Sequence, residues 1–200
     1  FMTTDAAISV PMLQKALRHA SDESFNMLSI DGDTSTNDML SIMANGLAGN
    51  AEITTENAAY FAFREALTQL SVKVASEMAR DGEGATKLII CRVQGAAGTQ
   101  QAKKLAKSVI GSALVKTAMF GADANWGRVI CAMGYSGADF NAEAVDIAFV
   151  SAAGRIEVCK DSAGTAFSEK KAKQVLSADE IIIEVTLREG GAGASAFGCD

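Results

Sequence analysis

The sequence predicts a mixed α/β fold, of the α/β or α+β class, built in packed layers. Segments with apolar residues at helical spacing alternate with short apolar runs that are typical of buried strands. Hydrophobic residues make up 48% and charged residues 21% of the 200 residues, which are ordinary values for a globular chain. There is one proline against 18 glycines, and the glycines lie at segment ends, where caps and turns need them.

The first part of the chain is predicted to contain long helices between short strands. Pro11 suits the first turn of a helix, and Gly82 suits a helix end. The predicted elements are a strand over residues 1–5, a helix opening at Pro11, a strand over 25–30, a helix over 39–45, a helix of about 25 residues that begins at Thr54 or Thr55 and ends at Gly82, and a strand over 87–93.

The elements of the last part are shorter. They are a helix capped by Thr99, an apolar segment over 114–120, a short helix over 129–134, a hairpin of strands over 145–150 and 155–159, a helix from Ser168 through Val175, and strands over 180–187 and 194–199. The change in element length predicts a division into a part over 1–111 and a smaller C-terminal α/β part over 112–200.

Composition excludes several classes of protein. No apolar run is long enough to cross a bilayer, and no positively charged segment followed by an apolar one opens the chain, so no secretory signal is expected. The net charge of -6 disfavours nucleic acid and anionic membranes as partners.

The cysteines indicate a reducing compartment. Cys91, Cys131, Cys159 and Cys199 form no CxxC pair, and His19 is the only histidine. A zinc site, a disulfide framework and a histidine-activated nucleophile are therefore poorly supported, and four buried or half-buried free thiols are expected. No metal ion is expected either.

A run of eight polar residues is the first candidate for a site. It consists of Asp31, Gly32, Asp33, Thr34, Ser35, Thr36, Asn37 and Asp38. Alternating oxygen ligands resemble a calcium loop, but Thr36 stands where a glycine is needed and Ile42 where a glutamate is needed. A simple turn before a helix explains two or three of these side chains. The full run fits an internally hydrogen-bonded loop that supports a site.

Two further segments are candidates. Glu83 lies between Gly82 and Gly84, so its carboxylate either faces a cleft, to bind an ammonium group or accept a proton, or is simply exposed on a turn. Asn125, Trp126 and Arg128 either cap a helix and fill the core or shape a cleft. Residues 190–193 are a weak candidate for a phosphate loop, because the surrounding strand–helix context is missing. No nucleophile paired with a base is visible.

Four segments taken together resemble one enzyme family. They cover residues 3–6, 31–38, 81–87 and 120–128, in this order, and they look like the β chain of ornithine acetyltransferase, the bifunctional arginine-biosynthesis protein. The family usually has proline at the position of Ala124. The resemblance implies a layered αββα sandwich, of which residues 1–111 would form the β-chain part of the catalytic domain.

The resemblance also implies a mechanism. The family's precursor cleaves itself before a threonine, and that threonine takes the acetyl group from N2-acetylornithine and passes it to glutamate. The threonine amine can serve as the base for its own hydroxyl. Some members also use acetyl-CoA as donor, and no cofactor is expected. The resemblance further implies an α2β2 assembly with the α chain of the same precursor, and a cytoplasmic location.

Glu83 is the only family site residue that maps onto this sequence, where it resembles the substrate-binding glutamate. The nucleophilic threonine would precede Phe1, and the oxyanion-hole pair and a substrate-binding lysine belong to the α chain. The Asp31–Asp38 run and the Asn125, Trp126 and Arg128 segment match the family as site-supporting residues. Two alternatives stay open: an N-terminal-nucleophile amidohydrolase or aminopeptidase of similar fold, and a non-catalytic binding subunit.

Overall fold

The computed structural model describes all 200 residues and has the predicted mixed α/β architecture. The strands are β1 (Met2–Thr4), β2 (Leu28–Ser29), β3 (Ile42–Ala44), β4 (Leu88–Ala96), β5 (Asp146–Ser151), β6 (Gly154–Lys160), β7 (Ala163–Gly164), β8 (Glu180–Thr186) and β9 (Ala192–Cys199). The helices are α1 (Val10–Glu23), α2 (Ala58–Arg80), α3 (Thr99–Gly111), α4 (Ala113–Phe120), α5 (Trp126–Gly134) and α6 (Glu169–Leu176), and a single 3-10 turn covers Phe25–Met27.

The chain divides into two compact units. The first comprises residues 1–26 and 33–75, and the second comprises residues 27–32 and 76–200. Helix α2 supplies residues to both. The boundary predicted between residues 111 and 112 falls inside the second unit, at the junction of α3 and α4, and stays a prediction.

The first unit is built around a two-stranded parallel sheet and two helices. Strands β1 and β3 pair in parallel, with Met2 opposite Ile42. Helix α1 presents Ala16 and Ala20, both fully buried, to a cluster that includes Tyr60 of α2. The small side chains on α1 leave room for the large ring, which is why the predicted apolar face of this helix is satisfied here.

The second unit is organised around a seven-stranded mixed sheet in the order β2-β9-β4-β8-β5-β6-β7. Strand β4 runs parallel to β8 and antiparallel to β9, and it places Cys91 opposite Ile183. In β8 the alternate residues Ile181, Ile183 and Val185 are buried. Burying each such aliphatic side chain contributes about 1.5–3 kcal/mol. Helix α3 packs against β4 and β9.

Helix α3 lies very close to β9. A Cβ atom on Gly198 would be 2.3 Å from Cγ2 of Ile110 in α3 and 2.8 Å from the carbonyl oxygen of Ser29 in β2. Similar crowding explains the glycines at positions 190 and 193. A Cβ atom on Gly190 would lie 2.6 Å from the carbonyl oxygen of Ala96 in β4, and one on Gly193 would lie 2.8 Å from that of Val93 in β4. These glycines allow close packing of the backbone.

Two predicted elements of the first half were wrong or only partly right. Residues 39–45 are not a helix, because residues Ile42–Ala44 form strand β3. The amide of Met2 donates to the carbonyl of Ser41 at 2.9 Å, so pairing with β1 satisfies a backbone that is too short for a stable helix. Of the strand predicted over residues 25–30, only Leu28–Ser29 is extended, after the 3-10 turn.

Two side-chain caps of the second half agree with the sequence analysis, and the predicted caps of α2 and α3 were wrong. Ser168 caps α6 through its side chain, as predicted, and Asn125 caps α5, which was one of the two alternatives for that segment. Helix α2 starts later than predicted: Asn57, not Thr54 or Thr55, accepts a hydrogen bond from the Tyr60 amide at 2.9 Å. The residue before α3 is Gly98, and Thr99 is the first helical residue.

Two wider expectations also have outcomes. All four cysteines are free thiols, as expected, and Cys91, Cys159 and Cys199 are buried. The expectation was wrong for Cys131, which is exposed. Burial raises the pKa of the Cys91 thiol well above its ordinary value, so this thiol stays protonated and inert. None of the helices combines the length and the apolar character that a membrane span would need.

Candidate functional site

Glu83 lies at the corner of a tight turn that follows α2. The Ala85 amide donates to the Gly82 carbonyl at 3.0 Å, which makes Glu83 and Gly84 the two central residues of a β-turn. Gly84 has φ of +74°, the conformation that the third position of a type II turn requires. The predicted glycine-flanked turn is therefore present, and the Glu83 side chain is exposed on it. Its role in substrate binding stays a prediction.

The turn is anchored at its start by close packing. A Cβ atom on Gly82 would lie 3.0 Å from Sγ of Cys199 and 3.2 Å from Cγ2 of Ile30. The position therefore favours glycine, and the backbone of the turn lies directly against the ends of β2 and β9. Just before the turn, Arg80 donates to the Glu180 carboxylate at 2.6 Å, which ties the end of α2 to the start of β8.

Asp200 anchors the turn at its other end. Its carboxylate accepts hydrogen bonds from the Thr86 amide at 2.8 Å, from the Lys87 amide at 2.9 Å and from the Thr86 hydroxyl. Desolvation raises the Asp200 pKa, but the hydrogen bonds from Thr86 and Lys87 outweigh it and hold the pKa of this carboxyl below its usual range. Asp200 is therefore an ionised acceptor at neutral pH.

Two lysines connect helix α4 to the same region. Lys87 donates through Nζ to the carbonyl oxygens of Met119 and Phe120, the last residues of α4. Cations at this end of a helix interact favourably with its dipole. Burial lowers the pKa of Lys87, and the charge of Asp200 opposes that shift.

Lys116 points in the opposite direction, from α4 to the strand ends. Its Nζ donates to the carbonyl oxygen of Ile30 at 2.9 Å and to that of Cys199 at 2.5 Å. Ile30 directly follows β2, and Cys199 is the last residue of β9, which pairs with β2 in parallel. Two half-buried lysines therefore join α4 by hydrogen bonds to the start of β4 and to the ends of β2 and β9. These bonds, with those of Asp200, form the framework around the Glu83 turn.

The Asn125, Trp126 and Arg128 segment joins this framework through α4. Arg128 donates through Nη1 to the Leu114 carbonyl at 2.9 Å and to the Thr117 hydroxyl at 3.1 Å. Trp126 is only half-buried, and its ring lies where a Cβ on Gly164 would be 3.1 Å away. The tryptophan thus covers the sheet edge at β7 and does not fill the core. A supporting role of these residues in the site stays a prediction.

The polar run over residues 31–38 is an exposed loop with local hydrogen bonds. The Ser35 hydroxyl accepts from the Asn37 amide at 3.2 Å and from the Asp38 amide at 3.1 Å, and the Thr36 hydroxyl donates to Asn37. Gly32 has φ of +88°, and residues 33–38 group with the first unit. Nowhere in the chain do three or more His, Cys, Asp or Glu side chains form a group suited to a metal ion.

Sequence reasoning missed Asp200, Lys87 and Lys116 as parts of this framework. The only available signal was their position: Lys87 opens a buried strand and Asp200 follows one. A charged residue at such a position is consistent with the end of a strand, but it does not indicate which residue it will contact in the folded protein.

The whole chain matches one known protein family. The profile of the ArgJ family covers residues 1–200. The chain belongs to the ArgJ family. The predicted resemblance to the bifunctional arginine-biosynthesis enzymes is thereby confirmed.

Several ArgJ proteins are close relatives over the entire chain. The bifunctional arginine-biosynthesis protein ArgJ 1 of Clostridium acetobutylicum is 49% identical over 200 residues, which are 100% of this chain and 49% of that protein. The ArgJ protein of Geobacillus stearothermophilus is 50% identical over 200 residues, 48% of its length. The chain therefore spans about half the length of the curated relatives it matches.

A solved ArgJ structure has the same fold. The crystal structure of the arginine-biosynthesis bifunctional protein ArgJ from Bacillus halodurans matches with a TM-score of 0.94 and 49% identity, covering 100% of this chain and 92% of that one. The predicted mixed α/β fold of the family is thereby confirmed.

Proposed function

We propose that this chain is the β chain of an acetyltransferase that moves the acetyl group of N2-acetylornithine to L-glutamate in arginine biosynthesis. The observation that carries the proposal is the match to ArgJ proteins at 49–50% identity over all 200 residues. The Glu83 turn, held at both ends, supports it, because a carboxylate fixed in this way can bind an ammonium group by a charge-assisted hydrogen bond.

The proposed reaction has two acyl transfers. The hydroxyl of a threonine upstream of Phe1 attacks the acetyl carbonyl of N2-acetylornithine, and the ornithine amine leaves with the hydroxyl proton. The amine of glutamate then attacks the threonyl ester, the carbon–oxygen bond breaks, and the proton returns to the threonine. Glu83 would hold an ammonium group, either that of the substrate or that of the nucleophilic threonine. Acetyl-CoA would enter as an alternative donor, consumed as a substrate.

The proposed partner is the α chain of the same precursor, in an α2β2 assembly. Two observations support a two-chain protein. The curated relatives are about twice as long as this chain, whereas the solved ArgJ chain is covered to 92% by it. Helix α2 also exposes the large apolar side chains Phe61, Leu70 and Val74, as expected of a surface that binds another protein. The four free cysteines agree with a cytoplasmic location.

Intact-protein mass spectrometry tests the proposal. The complete two-chain protein is measured before and after the addition of N2-acetylornithine. We expect a gain of one acetyl group on a β chain that begins at threonine, and loss of that group when glutamate is added. No adduct on a protein confirmed to carry this threonine would exclude the mechanism and favour the binding-subunit alternative. Loss of the acetyl group to water, with no acceptor amine, would favour an amidohydrolase.

A further inference from the structure

The carboxylate of Asp200 is committed to the segment that follows Glu83. Its two oxygens receive two backbone amides and one hydroxyl, all from Thr86 and Lys87. None of these donors is a cation, so the hydrogen bonds of the carboxylate hold a backbone conformation. Such bonds to an ionised acceptor are about twice as strong as bonds between neutral groups.

Asp200 is itself held in place. The Cys199 carbonyl, one peptide bond before it, accepts from Lys116, and the Cys199 side chain packs against Gly82. Both ends of the Glu83 turn therefore contact the end of β9. Gly82 packs against Cys199, and Thr86 donates hydrogen bonds to Asp200. Only the corner, Glu83 and Gly84, is free of these anchors.

We propose that Asp200 is a positioning residue, which fixes the backbone of Thr86 and Lys87 and thereby sets where the Glu83 carboxylate meets the ammonium group. This inference rests on the proposed acetyl transfer. A type II turn released at one end can swing its corner by an ångström or more, and misplacement of that size costs up to about a hundredfold in rate. We call the hydrogen bonds from Thr86 and Lys87 to the Asp200 carboxylate the Asp200 clamp. This clamp explains how an exposed glutamate can bind one group in a defined geometry.

The test is a double-mutant cycle with Asp200→Asn and Glu83→Gln in the complete two-chain protein, read out as kcat and KM for both substrates. We expect Asp200→Asn to lower kcat/KM by about tenfold, because the neutral amide loses the charge that strengthens the bonds from Thr86 and Lys87, and the turn is then held less firmly. The change should fall on the same parameter, kcat or KM, that Glu83→Gln alters. In the Glu83→Gln background, Asp200→Asn should change kcat/KM by less than about twofold.

The matched control is Asp146→Asn. Asp146 also accepts a backbone amide, that of Asp161 at 2.9 Å, together with Lys160 and Arg188, and it makes no contact with the Glu83 turn. The control variant should lose thermal stability and keep the wild-type kcat/KM. A second variant, Thr86→Val, removes only the hydroxyl donor, and Thr86→Ser restores it. We expect a two- to threefold loss with valine and recovery with serine, which keeps the test available if Asp200→Asn folds poorly.

The outcomes separate the two hypotheses. A wild-type protein that transfers no acetyl group in this assay overturns the proposed function. An active wild-type protein with unchanged kcat/KM in Asp200→Asn overturns the positioning role alone. The same holds if the Asp200→Asn loss is fully retained in the Glu83→Gln background, since a residue that acts through Glu83 cannot act without it.

Discussion

The Glu83 turn and the loop over residues 31–38 are both exposed, polar and glycine-containing, and sequence analysis selected both. In the structure the turn and the Ser35 segment of the loop, residues 35–38, are bonded in different ways. The turn is bonded to Asp200, which is 114 residues from Thr86 in the chain. The hydrogen bonds around Ser35 in the loop join residues at most three positions apart.

The sequence separation of the bonded residues distinguishes a segment that is fixed by the tertiary structure from a polar segment that is bonded only to its neighbours. Long-range bonds must overcome the entropy of closing a long loop, so they persist only where tertiary structure enforces them. Local bonds of the serine-turn type form in many flexible segments and fix little beyond their own residues. The comparison therefore favours the turn over the Ser35 segment of the loop, residues 35–38, as a part of the chain that presents a group in a defined place.

Replacing Glu83 with glutamine should give the largest effect. The substitution keeps the size of the side chain and removes its charge, so a charge-assisted bond to an ammonium group, worth about 1.5–3 kcal/mol, is lost. We expect kcat/KM of the two-chain protein to fall by about tenfold to a hundredfold, with an unchanged melting temperature because Glu83 is exposed. Wild-type kinetics in this variant would remove the turn from the site.

The Asp200 clamp should make stability depend on acid pH. Because the Asp200 pKa is lower in the folded protein than in the unfolded chain, the carboxylate stabilises the fold above the unfolded value, about pH 4. That stability is lost as the pH falls through the folded value. We expect Asp200→Asn to lower the melting temperature by about 3–6 °C at pH 7, and the difference from wild type to shrink below about pH 4. A difference that is constant from pH 7 to pH 3 would contradict the clamp.

Gly84→Ala measures the cost of the turn conformation itself. The space at Gly84 is open, but its φ of +74° disfavours any residue with a Cβ, at a cost of about 1–2 kcal/mol. We expect the melting temperature to fall by about 2–8 °C for a chain of this length. Gly111→Ala is the matched control, since that site is also open and has no positive φ. Equal behaviour of the two variants would argue against a type II turn.

The sequence predicted the parts of this molecule that depend on neighbouring residues. Asn125 and Ser168 cap helices by bonding to amides three positions on, and glycines on both sides of Glu83 predicted its turn. Residues 39–45 were mistaken for a helix because their strand depends on pairing with β1, about 40 residues earlier. Short apolar segments carry no signal that separates these two outcomes.

The framework of the site could not be predicted for the same reason. Lys116 donates to the carbonyl oxygens of Ile30 and Cys199, which are 86 and 83 residues away in the chain. Asp200 accepts from Thr86, which is 114 residues away. A lysine on a helix reads as a solvated charge until the fold brings carbonyl oxygens to it. Family resemblance supplied the fold and the identity of Glu83 as a candidate, whereas the contacts that hold Glu83 came only from the structure.

Ser35→Ala should give the smallest effect and tests the other side of the comparison. The Ser35 hydroxyl accepts from the amides of Asn37 and Asp38, and the whole loop is exposed, so water can replace the lost acceptor. The expected change in the free energy of unfolding is within about 0.5 kcal/mol, which corresponds to about 1–2 °C in melting temperature. Thr86→Val is the contrasting variant, because its lost hydroxyl bond is to Asp200 and belongs to a clamp between distant segments. A Ser35→Ala protein that melts more than 5 °C below wild type would mean that the Ser35 segment, too, is held by the fold, and the distinction between local and long-range bonding would no longer identify the site.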